Sequence, residues 1–134
     1  MSTSNGKQSG NTAPESRSAY NGSGATILKG TLVNIKAAAA YEEIEQVDAI
    51  ADIVFGVAAE DIEAATYGLI YIRGRCQVLA SAALTLGGIV TATTAGRVVN
   101  AATGGRIVGV ALEVGAAAEL VEIEMIGPAA GLSP

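Results

Sequence analysis

The side chains best placed to do chemistry in this 134-residue chain are a matched pair of glutamates, Glu60 and Glu113, and a solitary thiol, Cys76, near Arg73 and Arg75. Each glutamate closes a Gly-Val-Ala-x-Glu block, one starting at Gly56 and the other at Gly109. Two carboxylates can divide acid and base work when a pocket holds them together and drives their pKa values apart; glutamates that merely end strands in solvent do not. Arginines beside a thiol can lower its pKa, whereas a lone buried cysteine is inert. The chain has no histidine, which removes the commonest general base, nucleophile-activating partner and metal ligand together. No Gly-x-Ser-x-Gly elbow occurs, and the Gly87-Gly88 and Gly104-Gly105 runs lack the lysine and hydroxyl of a phosphate-cradling loop. Asp48, Asp52 and Asp61 are too scattered for a calcium loop. The expectation is no catalytic residue, no metal and no cofactor: a binding or structural module rather than an enzyme.

Residues suited to gripping another protein are easier to name. Arg73 and Arg75 project from one face of the Tyr71–Val78 segment if a strand continues through Gly74, and from there they could hold an acidic surface; a solvated turn is the alternative. Arg17 and Tyr20 are residue types enriched at interface anchors. The net charge of −5 and pI near 4.6 give no electrostatic footprint for nucleic acid. No apolar run approaches the roughly 18–20 residues of a spanning helix, and the polar start, Met1 to Lys7, lacks a signal peptide's apolar stretch. A soluble protein made in the cytoplasm is expected, with no membrane partner. One cysteine allows no intramolecular disulfide.

The elements that must position these residues read as β-structure. Residues 1–24 are Ser, Asn, Gly, Thr and Gln with little to bury, so they are expected to form a flexible arm that orders on a partner, or an ordinary disordered terminus. From Ala25 the texture becomes short β-branched runs punctuated by glycine. Strands are predicted at Leu32–Lys36, Tyr41–Val47, Val54–Ala58, Gly68–Ile72, Cys76–Leu79, Ile89–Ala92, Arg97–Asn100, Ile107–Leu112 and Leu120–Met125. Helix is the alternative for Ala37–Ala40 running into Tyr41–Glu45, where the alternation of Glu42, Ile44 and Gln46 favours strand, and near Asp61–Ala65. Half the residues are hydrophobic, yet there is one Phe, Phe55, and no Trp, so small aliphatic side chains must fill the core. Such a core gains little per residue, which favours support from self-association or a partner.

The chain also repeats itself. Lys29-Gly30-Thr31-Leu32-Val33, then Phe55 to Glu60, then Gly68 to Gly74 are answered in order by Leu86 to Val90, Val108 to Glu113 and Glu119 to Gly127. Two similar β units, residues 25–74 and 82–127, are expected to pack into one small barrel or sandwich, with 128–134 as a C-terminal tail. Gly56 and Gly109 would permit a bend or a close strand approach.

Over Ala25 to Gly127 the sequence resembles the capsid decoration, or cement, proteins of tailed phages. The likeness rests on Gly88-Ile89-Val90-Thr91, Ala95-Gly96-Arg97-Val98-Val99, Ile107 to Glu113 and Gly115 to Ile123, in that order and spacing. The Ala37–Ala40 run and the acidic stretch Tyr41–Asp48 depart from the pattern. The resemblance implies a β-barrel-like domain on the outer surface of an icosahedral head, binding the major capsid protein and bridging neighbouring subunits. It also implies self-association, as trimers in many relatives and dimers in some. Some relatives carry a recombinase label, which the lack of a nucleotide-binding loop sets aside here. A self-polymerising shell, fibre or tail-tube subunit is the competing structural reading.

Overall fold

In the computed structural model residues 14–37, 41–128 and 131–134 are described. Nine strands follow in order with no helix between them among the described residues: β1 (Glu15–Asn21), β2 (Leu32–Ile35), β3 (Glu43–Gln46), β4 (Gly56–Ala58), β5 (Tyr67–Leu79), β6 (Ile89–Ala92), β7 (Val98–Asn100), β8 (Ile107–Ala111) and β9 (Leu120–Met125). The all-β expectation holds. The two strands expected at Gly68–Ile72 and Cys76–Leu79 are one 13-residue strand, β5, because Gly74 adopts a φ of 99° and still pairs with Met125. Both helix alternatives fail where they can be seen. Ile44 is buried between outward-facing neighbours in β3, and the Asp61–Ala65 segment is a turn tied down by the Ile27–Ile62 bridge. Residues 1–13 of the expected arm, 38–40 of the alternative helix and 129–130 of the expected tail lie outside the described residues.

The arm expected over residues 1–24 is corrected from Glu15 onward. That segment is β1, antiparallel to β5 from Glu15–Arg73 to Tyr20–Tyr67 and parallel to β3 at Tyr20–Glu43 and Asn21–Ile44. Its polar composition misleads because Glu15 to Ser18 lie exposed along an edge, where the ladder to β5 satisfies the main chain, and only the end reached by β3 turns residues inward. Ala19 is one of these. Asn21, fully buried, is the other: its amide donates to the carbonyls of Ala25 and Ile62 at 2.8 Å each and accepts from Ser23.

The strand order is β1-β3-β2-β4-β5-β9-β8-β6-β7, with β1 also paired to β5, so the first five strands close on themselves. The second set nearly repeats the closure: the end of β5 meets β7 through a parallel bridge, Ala80–Val98. The order β3-β2-β4-β5 thus recurs as β7-β6-β8-β9, and the pairs Val33–Gly56 and Ala58–Ile70 recur as Val90–Gly109 and Ala111–Ile123.

Irregular hydrogen bonds recur as faithfully. Gly30 N–H donates to Ala58 O at 2.8 Å, and Gly87 N–H to Ala111 O at 2.8 Å. Ala65 N–H donates to Asn21 O as Ala118 N–H does to Ala80 O. The only two non-glycine residues with positive φ among those described, Ala65 and Ala118, occupy matching places. In this register Arg75 to Leu79 of β5, with Ala80 just beyond its end, are the counterpart of β1. Each repeat therefore starts earlier than the units 25–74 and 82–127 read from the sequence: the first at β1, the second inside β5, just after Gly74.

The core follows the repeat. Val33, Ala58, Ile70, Ile44, Ile27 and Ile62 fill the first ring, and Val90, Ala111, Ile123, Val98 and Leu84 fill the second. The outward face of the first ring, Leu32, Val47, Val54 and Val57, joins the second ring's core, so the two units share one apolar seam. Polar bonds frame it. Leu79 N–H donates to Gly30 O and Leu32 N–H to Gly96 O, both at 2.8 Å, and Arg106 donates from its main chain to Ile50 O and from its guanidinium to Ala51 O, both at 2.7 Å.

Candidate functional site

The matched glutamates are structural clamps. Glu60 Oε2 accepts from Leu69 N–H at 3.1 Å and Glu113 Oε1 accepts from Glu122 N–H at 2.7 Å, each across the loop before the next strand. Both carboxylates are exposed, and each is held by a main-chain donor. Cys76 is buried, and burial, with Glu124 and Glu122 adding to it, pushes its thiol up to about 12. The cysteine is the buried thiol the sequence favoured, and Arg75, which could have lowered its pKa, faces the Glu122 carboxylate. The protonated thiol is no nucleophile at neutral pH.

The four expected contact residues all lie on strands, each with a partner inside the chain. Arg17 on β1 pairs with Glu42 at 2.7 Å, its guanidinium 5.3 Å from the centre of the Phe55 ring. Tyr20, on the same strand, meets Tyr67 edge-on with ring centres 5.3 Å apart. Arg73 lies 3.4 Å from Glu15, and Arg75 pairs with Glu122, donating from Nε at 2.7 Å. Arg73 and Arg75 both face outward on β5 on either side of Gly74. Exposed ion pairs of this kind hold only about 0.2–1 kcal/mol, so these arginines can exchange an internal carboxylate for an external one at little cost.

Arg17 and Tyr20 belong to a larger apolar surface that the sequence did not reveal. A depression of about 330 Å³ lies among Asn34, Ile35, Ile53 and Phe55, on which Arg17 stacks. A second, of about 280 Å³, is formed by Tyr20, Tyr41 and Tyr67 with Glu42 and Glu43. Tyr41 and Tyr67 are 84% and 73% exposed, values that set them apart from any residue serving a core. The second unit carries its own exposed apolar group, Leu86 and Ile89 on the turn into β6. Exposed aromatic and aliphatic side chains near arginines are residue types enriched at protein interfaces. No sequence pattern marks them, for in the repeat Ile89 stands where the other unit has the fully buried Leu32.

No protein-family model and no curated protein sequence matches the chain. Among solved structures, the chain is similar to the N base of the head fiber gp8.5 of bacteriophage phi29, with a TM-score of 0.67 at 20% identity, over 82% of this chain and 93% of that one.

Proposed function

We propose that this protein is a structural component of a phage particle that attaches to the outer surface of the head, contacts the major capsid protein and stabilises the shell by bridging neighbouring subunits. The observation that carries the reading is the shared fold: the likeness to the phi29 head fiber base runs along nearly the whole of that chain. The surface is consistent with such a role. It offers apolar depressions and exchangeable arginine pairs, and its one thiol is buried and protonated.

Attachment of this kind works through repetition. Each copy makes weak contacts, and copies that associate with one another engage a symmetric lattice together, so modest single affinities multiply into avidity. The chemistry expected of the shell is an acidic surface for Arg73 and Arg75.

Binding of purified protein to expanded heads of the parent phage, followed by co-sedimentation, tests the reading. Heads carrying the protein are expected to withstand heat and chelation better than heads lacking it. Failure to bind, or equal resistance of the two kinds of head, would sink the proposal.

A further inference from the structure

The contact between the two units is heterologous: a particular end of the second unit sits on a different face of the first. Leu79 and Leu120 pack over Gly30, with Leu79 Cγ 3.2 Å from where a Gly30 side chain would begin. Gly96 lies against Thr31, Leu32 and Gln46. The receiving face is consequently buried: Leu32 and Val57 are fully covered and Thr31 nearly so.

The repeat locates the counterparts of both halves of this contact, and neither is used among the described residues. The receiving face of the second unit is Leu86, Gly87, Gly88, Ile89 and Val110. Leu86 is 65% and Ile89 48% exposed, and a side chain placed on Gly87 would meet nothing within 4 Å, whereas at Gly30 it would strike Leu120. The packing end of the first unit carries Tyr20 where the second has Leu79, Tyr67 where it has Leu120, and Ile53 where it has Arg106. Tyr67 is 73% and Ile53 55% exposed. Among the described residues, one pole thus carries an unfilled acceptor and the other an unused donor of the contact that joins the two halves.

We propose that these two surfaces bind each other between copies: the Tyr20–Tyr67–Ile53 end of one chain docks on the Leu86–Ile89 face of a second, repeating the internal unit-to-unit contact. Both surfaces expose large apolar side chains, and the donor carries tyrosines, the residue type that anchors interfaces, with Glu42 and Glu43 beside them. A heterologous contact cannot be satisfied in a two-fold dimer. It closes into a ring or runs on as a filament, so every copy uses both poles. The inference rests on the proposed self-association alone and is tested without heads, so its failure is distinguishable from failure to bind a capsid.

Two single variants of the full chain, Tyr67→Cys and Leu86→Cys, provide the test under mild oxidation. Both positions are exposed, and unchanged melting temperatures establish that the variants fold. Mixing them is expected to give disulfide-linked pairs that neither variant forms alone. In parallel, Ile89→Glu is expected to weaken self-association, read by light scattering against concentration, by about tenfold or more without altering the melting curve. Three outcomes overturn the proposal: same-site pairs from either variant alone, which mean a two-fold contact; unaltered association of Ile89→Glu; or a monomer at all concentrations.

Discussion

The first and second units are one backbone written in two sets of side chains. Where geometry is dictated by main chain, the residues agree. Gly56 and Gly109 hold matching places, and a side chain on either would run into the carbonyl of the next strand, Tyr71 O for one and Glu124 O for the other. Where only volume matters, they trade. In the first unit Ile62 fills the space over Gly68; in the second, Gly115 lies against Val121, with large and small residues exchanged across one contact. A side chain added to Gly68 would strike Ile62, and one added to Gly115 would strike Val121. The difference teaches that the repeat conserves close approaches and packing volume, while the identity of the residue supplying that volume is free.

The strongest way to break the comparison is at the shared glycines. Gly109→Ala is expected to cost about 3 kcal/mol or more, because its side chain would overlap Glu124 O and crowd Met125 Cα at 3.0 Å, all main chain that cannot rotate away. Gly56→Ala meets a single carbonyl, Tyr71 O, at 2.6 Å and should cost about 2 kcal/mol. Denaturant melts of the two variants, read as a difference, check the ranking; equal effects would mean the approach is not what glycine serves there.

The exchanged pair gives the next effect. Gly68→Val alone is expected to destabilise by about 2 kcal/mol through collision with Ile62, and adding Ile62→Gly, which copies the second unit's arrangement, should recover about 1 kcal/mol of it. A double-mutant cycle with no coupling would show that the two contacts are unrelated.

Much of this was legible in the sequence. Ile89–Ala92 and Leu120–Met125 match the expected strands to their ends, since short runs rich in β-branched residues with turn residues nearby leave little choice. The matching Gly-Val-Ala-x-Glu blocks exposed the duplication, because their glycines are fixed by main-chain approach. The first strand was not legible: Ser16, Arg17 and Ser18 look like a tail, and their order comes from ladder bonds to β5 that no local pattern encodes. Nor could the start of each repeat be seen, for β1 and its counterpart in β5 set Arg17 against Cys76 and Tyr20 against Leu79. Of the contact surface, Arg17, Tyr20, Arg73 and Arg75 were nameable by type, whereas Tyr67 and Ile89 matter through an exposure that only packing reveals.

That replacement of Arg17 by Cys76 carries a pH dependence. Below pH 9 the thiol is protonated in both the folded and the unfolded chain and contributes no slope. Above pH 9 the unfolded thiol ionises, while burial holds the folded one protonated to about 12. Stability should therefore fall between pH 9 and 12, by about 1.4 kcal/mol per pH unit from this group. Comparing alkaline melts of the native chain and Cys76→Ala isolates the effect, and parallel curves would refute it.

A smaller effect is expected at the clamps. Glu113→Gln and Glu60→Gln each exchange a charged acceptor of a main-chain N–H for a neutral one, at a cost of about 1 kcal/mol or less. Glu113, with the shorter bond of 2.7 Å against 3.1 Å, should lose more. Faster amide exchange at Glu122 and at Leu69 in the respective variants is the signature, since each mutation loosens the N–H it had held.

The smallest change sharpens the comparison by acting equally on both units. Ala65 and Ala118 have φ of 60° and 66°, where a side chain crowds its own carbonyl and glycine does not. Glycine relieves that strain but gives the unfolded chain more freedom to lose, and the two terms oppose each other at about 1 kcal/mol each. Ala65→Gly and Ala118→Gly should thus shift stability by about 0.5 kcal/mol or less, in the same direction. Thermal melts of the two single variants and their combination check this. Shifts of opposite sign would mean that the matching φ values reflect different local packing, because strain alone acts identically at equivalent positions of a repeated backbone.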